Sequence, residues 1–311
     1  MVLTPVKTLD KTGLVAAVAA YGLWGGFPLY FYLLGRSGSV EVVAHRIVWT
    51  LVFCVAGISL IGAWHKVRTV LGDRRLLGTL LGAGVLVSAN WLIYIYAVHG
   101  GHVVDGALGY FINPLVTVGL AVVFLRERLR PLQVVALGIG VAAVLVLVVG
   151  LGRVPWIGLG LAFSFGFYSL VKSKVGSRVS AFVGLGVETL ALAPVSVGFL
   201  LFLELGNRST FTTMSPIYAL LLIGTGVVTA VPLLLFAVGA SRLPLVSLAF
   251  IQYLAPIGQF LVGVLFFHEL MPLSRWIGFC LIWLALVVLS FDLVKTARTS
   301  GQAEQDQCRV G

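Results

Sequence analysis

Runs of roughly twenty apolar residues follow one another along this chain from Leu14 to Asp292, with the charged residues gathered between them. Inside hydrocarbon every backbone N–H and C=O must find a partner within the chain, so runs of this length cross a bilayer as helices. Ten spans are predicted, at about 14–34, 41–63, 76–98, 105–125, 132–151, 155–173, 181–203, 216–238, 245–267 and 274–292. Of the 311 residues 59% are hydrophobic and 10% charged, where soluble domains carry about 25% charged residues. No soluble domain of useful size is left over. The fold class is therefore all-α and integral to a membrane.

The basic residues set the orientation. With the N-terminus inside, the inner segments hold Lys7, Lys11, Lys66, Arg68, Arg74, Arg75, Arg126, Arg128, Arg130, Lys172, Lys174, Arg178, Arg242, Lys295, Arg298 and Arg309. The outer segments hold Arg36, Arg153, Arg208 and Arg275, a bias that puts both termini in the cytoplasm. The formal charge of +10 is thus a topology signal and not a nucleic-acid face. Lys7 and Lys11 precede the first run as in a signal peptide, but that run is too long and lacks a small-residue cleavage site, so it stays as a span. Cys54, Cys280 and Cys308 form neither a disulfide framework nor a metal knuckle.

The chain also repeats itself. The stretch LGYFINPLVTVGLAVVFLRERLRP (108–131) returns as FIQYLAPIGQFLVGVLFFHELMPL (250–273). An offset of 142 carries Pro114 to Pro256, Phe124 to Phe266 and Glu127 to Glu269. Five spans separate each element from its echo, and five is odd, so the second half enters the membrane upside down. Two look-alike halves of opposite direction can exchange conformations, which gives outward-open and inward-open states of similar energy. On that argument the chain is a carrier, built from ten transmembrane helices as two inverted five-helix repeats.

Several residues do not belong in lipid. Pro28, Pro114, Pro194, Pro232 and Pro256 each leave a carbonyl without its helical partner, and the matched pair Pro114 and Pro256 reads as a hinge. Tyr110, Asn113 and Thr117 share one helical face, and their offset mates are Gln252, Ala255 and Gln259. A polar stripe on a spanning helix turns inward, here to line a cavity. Arg46 lies inside the second span and its mate is Glu188, so the halves place opposite charges at equivalent positions, to pair with each other or with a substrate. The substrate contacts expected from this pattern are Trp24, Arg46, Asn90, Tyr94, Tyr110, Asn113, Glu188, Gln252 and Tyr253. His45 brings in a proton as a candidate coupling ion. The Gly22/Gly26 and Gly78/Gly82 pairs let helices approach closely, and a homodimer is one assembly they permit.

Two other classes are weighed against the carrier. A membrane-embedded enzyme on lipid-linked substrates needs acid, base or metal ligands at one face, and only His99, His102 and Asp105 approach that; they are read as solvated loop residues. A polytopic sensor needs an output domain, and none is seen. There is no phosphate loop with its lysine, no HExxH motif and no nucleophile elbow, so neither catalytic residues, metal nor cofactor are expected.

The segments YGLWGGFPLYF (21–31), EVVAHRIVWTLVF (41–53), SANWLIYIYAVHGGH (88–102), LGYFINPL (108–115), FLRERL (124–129), SFGFYSLVK (164–172), GLGVETL (184–190), GVVTAVPLLLFA (226–237) and RLPLVSLAFIQYLAP (242–256) resemble, in order, a RarD-type permease of the EamA family within the drug/metabolite transporter superfamily. The resemblance implies two EamA-type repeats, 1–151 and 152–294, and a polar cytoplasmic tail at 295–311 expected to be disordered. It implies residence in a bacterial cytoplasmic membrane, among lipid, and carriage of a small organic solute.

Overall fold

The computed structural model describes residues 10–126, 129–175, 178–243 and 251–310. Lys7, Glu127, Arg128, Pro244 and the start of the ninth predicted span, 245–250, lie outside the described residues. Every regular element among those described is helical.

The first predicted span is two helices, α1 (Lys11–Gly25) and α2 (Phe27–Tyr32), because Gly26 breaks it and Pro28 opens the second piece. Asp10 caps α1 by accepting from the Thr12 and Gly13 amides at 2.9 and 3.3 Å. Then follow α3 (Ser39–Leu60), α4 (Trp64–Gly72), α5 (Arg74–His99), α6 (Val103–Leu125), α7 (Pro131–Leu151), α8 (Trp156–Val175) and α9 (Ala181–Leu205). A single turn, α10 (Thr210–Thr213), leads to α11 (Pro216–Arg242). The described part of the ninth span is α12 (Leu254–Leu261), which widens into a π-helical turn, Val262–Phe266, before α13 (Leu273–Val310). Eight helical segments are long and apolar enough to cross a bilayer, and Trp156–Val171 and Leu254–Phe266 are shorter apolar helices at the sixth and ninth predicted positions.

Three local features differ from the sequence expectation. The amphipathic α4 packs Val67 and Val70 inward and lies in a predicted loop. The tail continues α13 as helix to Val310, in place of the expected disorder; its Lys, Ala, Arg, Gln and Glu residues are good helix formers. Pro114, Pro194 and Pro232 sit inside continuous helices, whereas Pro256 lies in the first turn of α12, where a missing N–H costs little. The expected matched hinge is therefore two different structural situations.

The packing is reciprocal. Helices α3 and α9 pack on each other, as do α7 and α13. The remaining large contacts come in pairs related by the 142-residue offset: α1 on α11 with α8 on α5, α6 on α8 with α12 on α1, and α3 on α11 with α9 on α5. The backbone repeats it as well. Arg126 and His268, 142 apart, are both left-handed, with φ of 56° and 51°, each just past the end of a helix.

Close approach fixes one of these contacts. A Cβ on Gly226 of α11 would lie 2.4 Å from the Trp49 carbonyl oxygen of α3, so no larger residue fits without separating the helices. Overpacking of this kind costs about 1–3 kcal/mol or more. Gly226→Val is expected to lower the thermal midpoint of the purified protein or stop its recovery as a monodisperse species. Gly138→Ala, with nothing within 4 Å, leaves both unchanged; size exclusion and a thermal scan read the difference.

Candidate functional site

Arg46 enters the interior seven residues into α3 and is 4% exposed. Its guanidinium carbon stands 4.0 Å from the Trp91 ring centroid, 5.1 Å from that of Phe31 and 5.7 Å from that of Phe27. Nε donates to Thr229 Oγ1 at 2.8 Å, and that hydroxyl donates on to the Thr225 carbonyl. Four helices, α2, α3, α5 and α11, thus converge on one cation. Rings facing a desolvated guanidinium recover part of its lost hydration, about 2 kcal/mol for a good contact. The hydroxyls of Tyr30, Tyr94 and Tyr110 are within electrostatic reach.

Beside the cage lies an amide network. Asn90, 1% exposed, donates from Nδ2 to the Leu161 carbonyl at 3.1 Å and to Ser164 Oγ at 3.0 Å, and accepts from the Tyr110 hydroxyl at 3.2 Å. Tyr94 packs on Tyr110 and on Phe31, with centroids 5.8 and 6.2 Å apart. Its hydroxyl is enclosed yet has no hydrogen-bond partner among the described residues, and the same holds for Asn113 Oδ1 one turn beyond Tyr110. Buried polar atoms are ordinarily satisfied, so an open hydroxyl on a ring that packs against Phe31 of the cage marks a place made for something else.

The structure brings Arg46, Asn90, Tyr94 and Tyr110 together, and Trp24 lies one turn before Phe27. Gln259, the offset mate of Thr117, donates to the Trp24 carbonyl at 3.1 Å, where α12 crosses α1 at Gly25 and Gly258. Glu188 does not pair with Arg46. It is 1% exposed and accepts from the Tyr168 hydroxyl at 3.3 Å. The reason is antiparallel packing: Gly186 on α9 sits level with Cys54 on α3, so Glu188 is level with residue 52. That is about 9 Å along the axis from Arg46, at 1.5 Å per residue. Equivalent positions of oppositely directed helices fall at mirrored depths. Tyr253 lies elsewhere too, lining an apolar groove of about 800 Å³ with Phe111, Phe260, Trp283 and Ser290. Gln252 is half-buried at the start of that element, its carbonyl accepting from the Ala255 amide.

His45 stacks on Phe211 at 5.1 Å and accepts from Trp49 Nε1 at 3.3 Å. His99 turns away from His102, with its ring nitrogens 3.0 Å from the Phe31 carbonyl and 3.4 Å from Ser39 Oγ. No group of three metal-ligating side chains occurs among the described residues. Thr229, Phe27 and Phe31 escaped sequence reasoning, because a threonine and two phenylalanines in apolar runs look like packing.

The two ends of the bundle are tied differently. At the end away from the N-terminus, Glu41 accepts from the Thr210 amide and hydroxyl at 2.7 and 2.9 Å, and Ser37 Oγ bonds Tyr218 and Thr210. There too Glu269 accepts from the Val103 and Val104 amides that start α6, and Arg275 meets Asp105 at 3.0 Å. These groups are largely buried. At the N-terminal end the ties are Arg242–Asp10 at 3.5 Å and Arg130–Asp292 at 3.3 Å, with both arginines exposed.

The sequence model of the EamA-like transporter family matches twice, over residues 10–149 and 154–291. The chain is 47% identical over 293 residues to the protein RarD of Streptomyces exfoliatus, covering 94% of this chain and 92% of that one. It is 41% identical over 293 residues to the uncharacterized transporter PA0485 of Pseudomonas aeruginosa, covering 93% and 96%. A solved crystal structure 18% identical in sequence superposes with a TM-score of 0.59 over 89% of this chain and 96% of that one, a likeness of fold alone.

Glu269 gives the site's surroundings a pH signature. Burial pushes its carboxyl above the ordinary carboxylate range, against the amides of Val104 and Val103 and the charge of Arg275, and Asp105 pushes it the same way as burial. The folded state therefore favours the protonated form more than the unfolded chain does. That contribution to stability is whole below the unfolded pKa and is lost as pH rises through the folded one. Thermal midpoints followed upward from the acid side should show a falling limb that is present in the native chain and flattened in Glu269→Gln.

Proposed function

Because the chain belongs to the EamA-like transporter family, among its RarD-type permeases, we propose that it is a secondary carrier moving a small organic metabolite or drug-like solute by alternating access. The observation that carries this reading is the reciprocal packing: the major helix contacts run between the halves, and each either has its counterpart under the same 142-residue offset or is its own. On this reading residues 1–151 and 152–294 are two five-helix units inserted in opposite directions, ten spans in all, with both termini in the cytoplasm of a bacterial cell. The basic end, with Lys66, Arg68, Arg74 and Arg75, is then the cytoplasmic one.

The mechanism follows from the ties at the two ends. Closure outside is made by Glu41 on Thr210, Glu269 on the start of α6, and Asp105 on Arg275; closure inside by Arg242 on Asp10 and Arg130 on Asp292. Breaking one set while keeping the other opens the Arg46 cage to one side at a time. The wider π-turn after α12, and the break at Gly26 between α1 and α2, supply places where a helix bends without disturbing its neighbours.

Arg46→Ala removes the one charge in the cage. Membrane insertion and detergent solubility should be retained, while counterflow in proteoliposomes falls to the level of empty vesicles. Normal exchange in that variant would remove Arg46 from the transport path. Trans-stimulation in the native protein separates a carrier from an enzyme or a sensor, since neither of those shows it.

A further inference from the structure

Arg46 is buried inside the helix bundle, and among the described residues no carboxylate pairs with it. Its hydrogen bond is to Thr229 through Nε, and its ring contacts are Phe27, Phe31 and Trp91. Among the described residues the two terminal nitrogens find no hydrogen-bond partner. A cation in such surroundings is costly, and cation–π contacts offset only part of that cost. Something anionic completes it.

We infer that the cage binds a small organic monoanion, a carboxylate carried on an apolar or aromatic body, as the transported solute. The inference rests on the carrier reading above for the word transported, but not for binding. Three observations set the chemistry. The free edge of a guanidinium whose Nε is already engaged presents two parallel N–H donors, the geometry that a planar carboxylate accepts in bidentate fashion. One fixed cation neutralises one charge; a phosphate monoester, carrying about −1.5 to −2 at neutral pH, would leave an excess in a low-dielectric site. The walls, three aromatic rings within 5.7 Å of the guanidinium carbon, suit an apolar body and exclude a second polar head. The enclosed Tyr94 hydroxyl, on a ring packed against Phe31 of the same cage and without a partner among the described residues, is the remaining donor for a carboxylate oxygen.

The test uses the full chain in detergent and a panel of monocarboxylates from acetate to 3-phenylpropionate, each beside its own neutral amide, with phenyl phosphate as the dianion. A ligand that binds the folded state raises the thermal midpoint in a saturable way. Carboxylates with an apolar body should do so, and their amides and phenyl phosphate should not at equal concentration. Tyr94→Phe should leave the unliganded midpoint unchanged or higher, since that hydroxyl has no partner among the described residues, yet weaken carboxylate binding roughly ten- to a hundredfold, the worth of one hydrogen bond to a charged group. Arg46→Gln should weaken it about a hundredfold or more. If no carboxylate stabilises the protein, if the amides do as well, or if Tyr94→Phe binds as tightly as the native chain, the inference is wrong. Counterflow with the best carboxylate separates the two claims. Binding that needs Arg46 and Tyr94 without trans-stimulation supports the site and removes the carrier; exchange of a neutral solute with carboxylates inert removes the site and keeps the carrier.

Discussion

A guanidinium in the middle of a hydrocarbon-embedded bundle sets terms that its neighbours must meet. Water cannot reach it freely, no acid stands next to it, and the chain answers with three aromatic faces and one hydroxyl drawn from α2, α5 and α11. Those four groups come from three helices besides α3, so the position of one charge ties together elements from both halves of the sequence. The Thr229 hydroxyl, itself anchored on the Thr225 carbonyl, shows how the second half contributes: a small polar residue on an apolar helix, useful only because α11 packs on α3 at Gly226.

Reciprocity and asymmetry coexist in this fold. The helix pairs answer one another across the 142-residue offset, and so do the left-handed residues Arg126 and His268. The polar chemistry does not. The first half supplies the cation and most of the tyrosines, while the equivalent position in the second half is Glu188, held by Tyr168. The duplicated scaffold thus carries unlike polar contents in its two halves.

The helical, membrane-crossing character was readable because period and length are enforced by the bilayer: among the described residues eight helices are long and apolar enough to cross it, and two more apolar helices are shorter. What escaped was set by depth and register. Arg46 and Glu188 looked like partners because offset arithmetic equates positions along the chain, whereas oppositely directed helices place such positions at mirrored depths. Tyr253 looked like a site residue because it follows Gln252, but the turn before α12 sends it to the groove beside Trp283. Asn90 and Tyr110, both expected as substrate contacts, are joined inside the bundle by a hydrogen bond, since an amide and a phenol on spanning helices have few other places to go. Thr229 carried no signal in one sequence, and α4 was too short and too mixed in composition to stand out.

The unequal character of the two end closures has a consequence of its own. Around Asp10 and Arg242 the ion pair stands in water, where the screening length shrinks from about 8 Å at 0.15 M salt to about 3 Å at 1 M. Around Asp105, Arg275 and Glu41 the partners are shielded by protein, and added electrolyte reaches them poorly. The two ends therefore answer to different variables: one loosens with ionic strength, and the other yields only when water is let in.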